Sequence, residues 1–199
     1  RPGPKSTLVA RMMDRPCRPL FPKNWRAEIQ ILSYPISHDQ ENNTDVLALT
    51  GASAATCISD LPFDGPIAGV RVGRVDGEWI ANPTKTQLAS SDFDMIVASS
   101  ADAITMVEGS MNEASEAEVV AGLEFGFQAA QPLIQMQLEL IAEVGKPKRP
   151  IPAEDDHSEL YAQVTERYGA STLATFEISG KNELRLAQRE IRKQVRAEM

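Results

Sequence analysis

Two pairs of strand-like segments follow each other directly along the chain, and this order restricts the fold more than any other feature of the sequence. Residues 67–75 and 78–81 are separated only by Asp76-Gly77, a dipeptide typical of a tight hairpin turn. Residues 93–98 and 104–107 are separated by a few polar residues, which predicts a second antiparallel pair. Consecutive hairpins favour an α+β fold over a doubly wound α/β fold, because parallel strands need long crossover connections.

Three elements are predicted before the first strand pair. Ser6 can cap a short helix over residues 6–14, and Pro16 is expected to end it because proline lacks the amide hydrogen that a helix needs. Alternating apolar residues predict a strand over residues 27–36. Thr44 can cap a second helix reaching Cys57, and its many small residues predict close packing against another element.

A long amphipathic helix is predicted after the second strand pair. Ser115 and Glu118 form a capping box, and apolar residues then recur by threes and fours as far as Ile141. The proline-rich segment 146–152 is the clearest domain boundary in the chain. Beyond it the pattern predicts only helices, over residues 159–168 and 182–199. The sequence therefore predicts an α+β core followed by an all-α segment.

Charge is distributed unevenly along the chain. The net charge of -8 argues at first against a nucleic-acid partner, because phosphate contacts need Lys and Arg. Residues 1–26, however, carry seven basic side chains against one acidic side chain. This split predicts one surface that faces a polyanion, although a charge cluster taken alone is more often a solvated surface. No apolar run approaches the ~20 residues that a bilayer requires, so we expect no membrane partner.

Few residues are suited to metal binding or nucleophilic catalysis. His38 and His157 are the only histidines and lie far apart in the sequence. Cys17 and Cys57 have no CxxC spacing, so neither a metal site nor a disulfide framework is indicated. Glu108 has no second carboxylate close in sequence, and we expect it to hold a loop or a subunit contact. No catalytic residue and no metal ligand is predicted in this chain.

Three arginines near the start of the chain are the strongest candidates for a binding site. Arg11 and Arg15 are four residues apart and so share a helix face, while two prolines that follow limit how far Arg18 can lie from them. Guanidinium is planar, permanently charged and has forked donors that match phosphate oxygens. These three residues are predicted to contact an RNA or DNA backbone. The alternative, given even weight, is that they pair with Asp14 and other carboxylates and only fix loops.

Six short motifs occur in order along the chain: RMMDRPCRPLFP (11–22), GASAA (51–55), PFDGPI (62–67), VRVG (70–73), NPT (82–84) and MVEG (106–109), followed by Ser115 and Glu116. Together they resemble the first core domain of the polynucleotide phosphorylase family. The resemblance covers residues 1–148 and, more loosely, the start of that family's helical domain. It implies an RNase PH-like β-α-β-α core. Residues 1–62 would be the C-terminal part of its first domain, residues 63–148 the second subdomain, and residues 149–199 the start of the α-helical domain. Because the chain also begins with Arg1, we expect it to be a piece of a longer protein.

The resemblance also implies an activity. Members of this family are phosphorolytic 3′-to-5′ exoribonucleases that cleave single-stranded RNA with inorganic phosphate into nucleoside diphosphates, and can act in reverse as nucleotidyltransferases that add 3′ tails. The resemblance implies a homotrimeric ring, support by Mg²⁺, other RNA-decay proteins as partners, and the bacterial cytoplasm in preference to an organelle. The catalytic residues and the Mg²⁺ site are expected outside this chain. Arg11, Arg15 and Arg18 match the family's arginines in this motif, so this chain would supply ring assembly and RNA guidance.

Two other functions for the chain, and two interpretations of its last predicted helix, stay open. The chain could belong to a non-catalytic RNA-binding ring subunit of an exosome-like assembly, or to an interaction module whose arginines serve only subunit contacts. A stripe of basic residues on the last predicted helix could bind RNA or form a solvated face; it consists of Arg185, Arg189, Arg192 and Arg196. The interleaved Glu183 and Glu190 favour the solvated face.

Overall fold

A computed structural model describes residues 3–153 and 156–198 of the chain. The chain divides into two compact units, Arg1–Pro152 and Ala153–Met199. In the part that the structure describes, the first unit contains a four-stranded antiparallel sheet with helices on both faces, and the second contains helices alone. The α+β class with a following helical segment is therefore confirmed.

Four strands form the sheet in the order β2-β1-β3-β4, and every neighbouring pair is antiparallel. They are β1 (Ala68–Val75), β2 (Glu78–Ala81), β3 (Phe93–Ser99) and β4 (Ile104–Met111). Asp76 and Gly77, between β1 and β2, have positive φ angles of 52° and 83°. A two-residue hairpin turn of this kind needs both residues in the left-handed region, which Asp and Gly tolerate well. Both predicted hairpins are confirmed.

The sheet has an apolar core on each face. Because successive side chains of a strand point to opposite faces, Met95 and Val97 of β3 enter one core and Ile96 and Ala98 enter the other. Helix α4 (Glu116–Val144) covers the first core through Ala130 and Ile134. Helices α1 (Pro4–Cys17) and α2 (Asp45–Ile58) contribute to the second core through Met12, Cys17, Val46, Leu49 and Cys57.

Helix α4 lies very close to the sheet. Its N-terminus has the predicted capping box, in which Ser115 accepts from the Glu118 amide and the Glu118 carboxylate accepts from the Ser115 amide. Near its middle, a Cβ added to Gly126 would lie 2.8 Å from Val97 Cγ2 and 2.9 Å from Val72 Cγ2. The missing side chain at this position therefore allows the helix and the sheet to approach each other. A short helix α3 (Lys85–Ser90) with its own capping box connects the two hairpins.

Helix α1 is longer than predicted. It begins at Pro4 and continues through Pro16 to Cys17, and a 3-10 turn follows at Arg18–Leu20. Pro16 is buried, and the Arg18 amide donates to the Asp14 carbonyl one turn before it, so the helical backbone persists past the proline. The prediction that Pro16 ends the helix was wrong, because burial of its ring in the core outweighs the one hydrogen bond that proline cannot make.

The strand predicted over residues 27–36 is absent from the described structure. The segment has no regular secondary structure, and none of its backbone amides has a hydrogen bond to another backbone group within the described residues. Three of its apolar side chains point into solvent: Leu32 is 63% exposed, Tyr34 76% and Ile36 99%. The prediction was wrong because an alternating pattern indicates a strand only when a partner strand pairs with the backbone, and here none does.

The second unit is a pair of helices. Helix α5 (Ser158–Ala174) leads through a 3-10 turn at Thr175–Glu177 to helix α6 (Lys181–Glu198). Tyr168 is buried, and its hydroxyl donates to the Glu198 carboxylate, which connects α5 to the end of α6. Both helices predicted for this segment are confirmed, although Met199 lies outside the described residues.

Candidate nucleic-acid interface

The three candidate arginines lie together on the solvent side of α1. Arg11 and Arg15 belong to α1, and Arg18 opens the 3-10 turn while keeping a helical backbone, with φ -56° and ψ -44°. At ~100° per residue, their spacing of four and three places them within an arc of about 60°. Pro16 and Cys17 each lie about 130° from the centre of this row and are buried. The amphipathic character of α1 thus holds three exposed guanidinium groups in one row, which we call the α1 arginine row.

Two members of the α1 arginine row are paired with carboxylates. Arg15 Nη1 lies 2.7 Å from Glu108 Oε2 on β4, and the two side chains are 50% and 53% exposed. Arg18 Nη2 lies 2.6 Å from Asp14 Oδ2, with side chains 76% and 50% exposed, and its Nε also donates to this carboxylate. These hydrogen bonds raise the pKa of Arg18 further above its ordinary value. Arg11 has no ion pair among the described residues.

These ion pairs orient the arginines and still leave them able to bind another anion. An exposed ion pair contributes only ~0–1 kcal/mol, because water and side-chain entropy offset most of the attraction. A phosphate oxygen accepts the same forked, charge-assisted hydrogen bonds as a carboxylate oxygen. Glu108 and Asp14 can therefore be exchanged for phosphate at little cost. The two interpretations of the arginines given by the sequence are compatible in this geometry, since the pairs are present and yet exposed.

Arg71 forms ion pairs inside the fold, and Arg74 does so as well. Arg71 of β1 lies 2.6 Å from Asp45 at the start of α2 and also pairs with Asp94, and its side chain is only 13% exposed. Such a pair, nearly buried, connects the sheet to α2 and leaves few donors for a ligand. Only its position within a buried strand distinguishes Arg71 from the exposed arginines at the level of sequence.

Arg74, three residues later on β1, connects the sheet to α4. Its guanidinium lies 2.6 Å from both Asp92 and Glu118, and it also lies over the rings of Trp79 and Phe93. Hydrogen bonds from Ser115, and then from Arg74, lower the pKa of Glu118 to about 2. The capping box of α4 and the Arg74 ion pairs therefore form one connected polar network at the C-terminal end of β1.

A groove of about 680 Å³ lies beside Arg18. Lys23 and Trp25 line it, and neither was singled out from the sequence. Most of the remaining lining is apolar, including Met13, Phe21 and Ile29, which does not suit phosphate oxygens. Arg18 and Asp14 also line the groove, so the groove meets the α1 arginine row at Arg18, and its apolar part is not a phosphate site.

The two cysteines are unreactive, and the other side chains that can bind metals are not clustered within the described residues. Cys17 and Cys57 are free and buried, and burial, followed by the charge of Asp14, raises the pKa of Cys17 to about 11. A thiol in this state stays protonated at neutral pH and is a poor nucleophile. Within residues 3–153 and 156–198, no three His, Cys, Asp or Glu side chains come close enough together to hold a metal ion. Among the described helices, none has the length and apolarity needed to cross a membrane.

Comparison with family models places the chain among known proteins. Residues 1–62 match the model for domain 1 of the 3′ exoribonuclease family, and residues 65–129 match the model for its domain 2. The chain belongs to the 3′ exoribonuclease family. Together these two models account for more than half of its residues, and they occur in the order expected from the sequence motifs.

Several curated relatives within the 3′ exoribonuclease family carry the name polyribonucleotide nucleotidyltransferase. The one from Desulfatibacillum aliphaticivorans is 47% identical over 195 residues, which covers 98% of this chain and 27% of that protein. The one from Anaeromyxobacter dehalogenans is 53% identical over 165 residues, covering 82% and 23%. The one from Syntrophotalea carbinolica is 56% identical over 145 residues, covering 73% and 21%. The chain thus spans about a quarter of the length of these relatives.

Among solved structures, the cell-death-related nuclease 5 of C. elegans is similar to this chain. It has a TM-score of 0.45 and 17% sequence identity, and the match covers 52% of this chain and 58% of that chain. This likeness is too low to support a conclusion about the site.

Proposed function

We propose that this chain is part of a phosphorolytic 3′-to-5′ exoribonuclease that degrades single-stranded RNA to nucleoside diphosphates with inorganic phosphate, and that can add 3′ tails in the reverse direction. The names of its relatives and the two matching family models support the reaction class. The contribution proposed for this chain is to guide the RNA backbone. The observation that carries it is the α1 arginine row, where Arg11, Arg15 and Arg18 share one exposed helix face.

The division of labour proposed within the longer protein follows the order of the family models. Residues 1–62 and 63–148 would form two parts of an RNase PH-like unit that assembles into a homotrimeric ring, and residues 149–199 would begin a helical domain. The catalytic groups and the Mg²⁺ site would lie outside this chain, in the bacterial cytoplasmic protein as a whole. The described residues do not bring a metal-binding cluster together, so no metal-binding role is assigned to them.

The proposed contact is independent of base sequence. Arg15 and Arg18 would exchange the carboxylates of Glu108 and Asp14 for phosphate oxygens, and Arg11 would add a third donor group. Contacts of this kind fix the position of the strand but do not read its bases. Each phosphate that is neutralised releases condensed cations, so binding should weaken steeply as salt is added.

A charge-matched pair of variants tests this contact. The double variant Arg11→Gln/Arg18→Gln removes two charges from the α1 arginine row, and the control Lys85→Gln/Lys146→Gln removes two exposed charges elsewhere in the same unit. Losing two single-strand phosphate contacts should lower the slope of log K against log salt by about 1.4, which corresponds to about tenfold weaker binding at ~200 mM salt. The loss should be equal for oligo-adenylate and oligo-uridylate. Equal weakening by the control would mean that only total charge matters and would contradict the assignment.

A second experiment tests the location of the chemistry. The chain alone, incubated with RNA, inorganic phosphate and Mg²⁺, should release no nucleoside diphosphate, because the catalytic groups are proposed to lie elsewhere. Measurable turnover would show that the division of labour is wrong. The longer protein that contains this chain should release nucleoside diphosphates under the same conditions. Failure of the longer protein to do so would favour the non-catalytic ring subunit of an exosome-like assembly.

A further inference from the structure

Helix α6 carries a basic stripe that the proposed function does not use. The stripe consists of Lys181, Arg185, Arg189, Arg192 and Arg196, and every one of these side chains is exposed. At 1.5 Å per residue it extends over about 22 Å. At ~100° per residue its members fall within an arc of about 80°. We call this set the α6 stripe.

The acidic residues of α6 lie away from this stripe. Glu183, Glu190 and Glu198 are each about 140–160° from its centre around the helix axis. Glu198 accepts from Tyr168 of α5, and Glu190 pairs with Lys193, which lies at the border of the stripe. The glutamates that favour a solvated face in the linear sequence are thus on the opposite side of the folded helix. The α6 stripe presents uniform positive charge.

The stripe is also unfavourable for the helix itself. Side chains three or four residues apart are neighbours on a helix, and like charges at these spacings are destabilising. Arg185 and Arg189, Arg189 and Arg192, and Arg192 and Arg196 are all such pairs. None of the four arginines has a carboxylate three or four residues away on α6. No contact within α6 relieves this repulsion, whereas a bound polyanion would.

The other surfaces of α6 decide which polyanion fits. A basic amphipathic helix binds a membrane only when its apolar face is free to enter the bilayer. Here Leu184, Ile191 and Val195 form the apolar face and are half-buried in the second unit, where α6 packs against α5. A membrane is therefore disfavoured. Four of the five stripe residues are arginine, whose forked donors suit the evenly repeated phosphates of a nucleic-acid strand.

We propose that the α6 stripe is a second binding surface for the backbone of single-stranded RNA, separate from the α1 arginine row. The choice of RNA as the polyanion rests on the proposed function, but the charge geometry of α6 does not. Contacts at the stripe are again to phosphate and carry no base preference.

The test uses two charge-matched double variants of the whole chain. Arg189→Gln/Arg192→Gln removes two charges from the stripe, and the control Lys85→Gln/Arg167→Gln removes two exposed charges that lie outside α6. Glutamine is a good helix former, and far-ultraviolet circular dichroism should show unchanged helix content in both. Binding of a labelled oligo-adenylate of about 20 nucleotides is followed by fluorescence anisotropy between about 50 and 200 mM salt. The stripe variant should show about tenfold weaker binding at ~200 mM and a slope lower by about 1.4, while the control changes little.

The outcomes separate this proposal from the proposed function. If both doubles weaken RNA binding equally, or the stripe double changes nothing, the stripe is not an RNA surface. Binding of poly-glutamate or of anionic vesicles that is as strong as RNA binding, and is lost with the stripe, would overturn RNA as its ligand. The α1 variant is measured alongside: a loss only in the α1 variant refutes the stripe alone, and a loss only in the stripe variant refutes the α1 assignment alone.

Discussion

Removing a carboxylate from the first unit should strengthen RNA binding. Glu108 lies 2.7 Å from Arg15 Nη1, and both side chains are about half exposed. An RNA phosphate that binds Arg15 must first displace Glu108, and an exposed pair of this kind is worth about 0.2–1 kcal/mol. Glu108→Gln removes this competition, so affinity should rise by about 1.4- to 5-fold. The loss of repulsion between the carboxylate and phosphate acts in the same direction.

The measurement is fluorescence anisotropy with a labelled oligo-adenylate at low salt, where exposed charges act most strongly. Glu124→Gln is the matched control, since it removes one exposed negative charge from α4, which covers the opposite face of the sheet. The gain beyond that of the control should disappear in an Arg15→Gln background, because Glu108 then has no arginine to occupy. Weaker binding by Glu108→Gln, or a full gain that persists without Arg15, would contradict the proposed competition.

Three further predictions concern the stability of the fold. Gly126→Ala should lower the free energy of unfolding by about 1–3 kcal/mol, because the new Cβ overpacks against Val97. Gly51→Ala places its Cβ with no atom within 4 Å and should raise the free energy of unfolding by about 0.5–1 kcal/mol. Urea unfolding measures both, and a change of the same sign in the two variants would contradict this account of their packing. Glu118 has a pKa of about 2 against an ordinary 4.5, so the unfolded chain takes up this proton first as pH falls, and stability should be lost between these values. Glu118→Gln should flatten that dependence. Cys17 has a pKa of about 11 against an ordinary thiol pKa of 9.0, so the thiol ionises in the unfolded chain before it ionises in the folded chain. The free energy of unfolding should therefore fall as pH rises through this range, and Cys17→Ala should remove this effect.

The sequence predicted best those elements whose causes lie within a few residues. The turn at Asp76 and Gly77 and the capping box of Ser115 and Glu118 are local, and the structure contains both. The failures depend on distant contacts. Pro16 is accepted inside α1 because its ring is buried, and residues 27–36 form no strand because no partner pairs with them.

The candidate site shows the same division. The spacing of Arg11, Arg15 and Arg18 was enough to place them on one face, because helical periodicity needs no tertiary information. The partner of Arg15 was not predictable, since Glu108 lies 93 residues further along the chain and reaches it only through the return of β4. Likewise, only the assembled sheet distinguishes Arg71, which pairs internally, from the exposed arginines.

The irregular segment over residues 27–36 bears on how this chain behaves in concentrated solution. Its amides and carbonyls form no backbone hydrogen bond within the part of the chain that the structure describes, and together with the outward side chains of Leu32, Tyr34 and Ile36 they resemble the open edge of a sheet. Such edges associate with one another through intermolecular strand pairing. The chain should therefore self-associate at high protein concentration, and light scattering should rise with concentration unless a polar or proline substitution interrupts this segment.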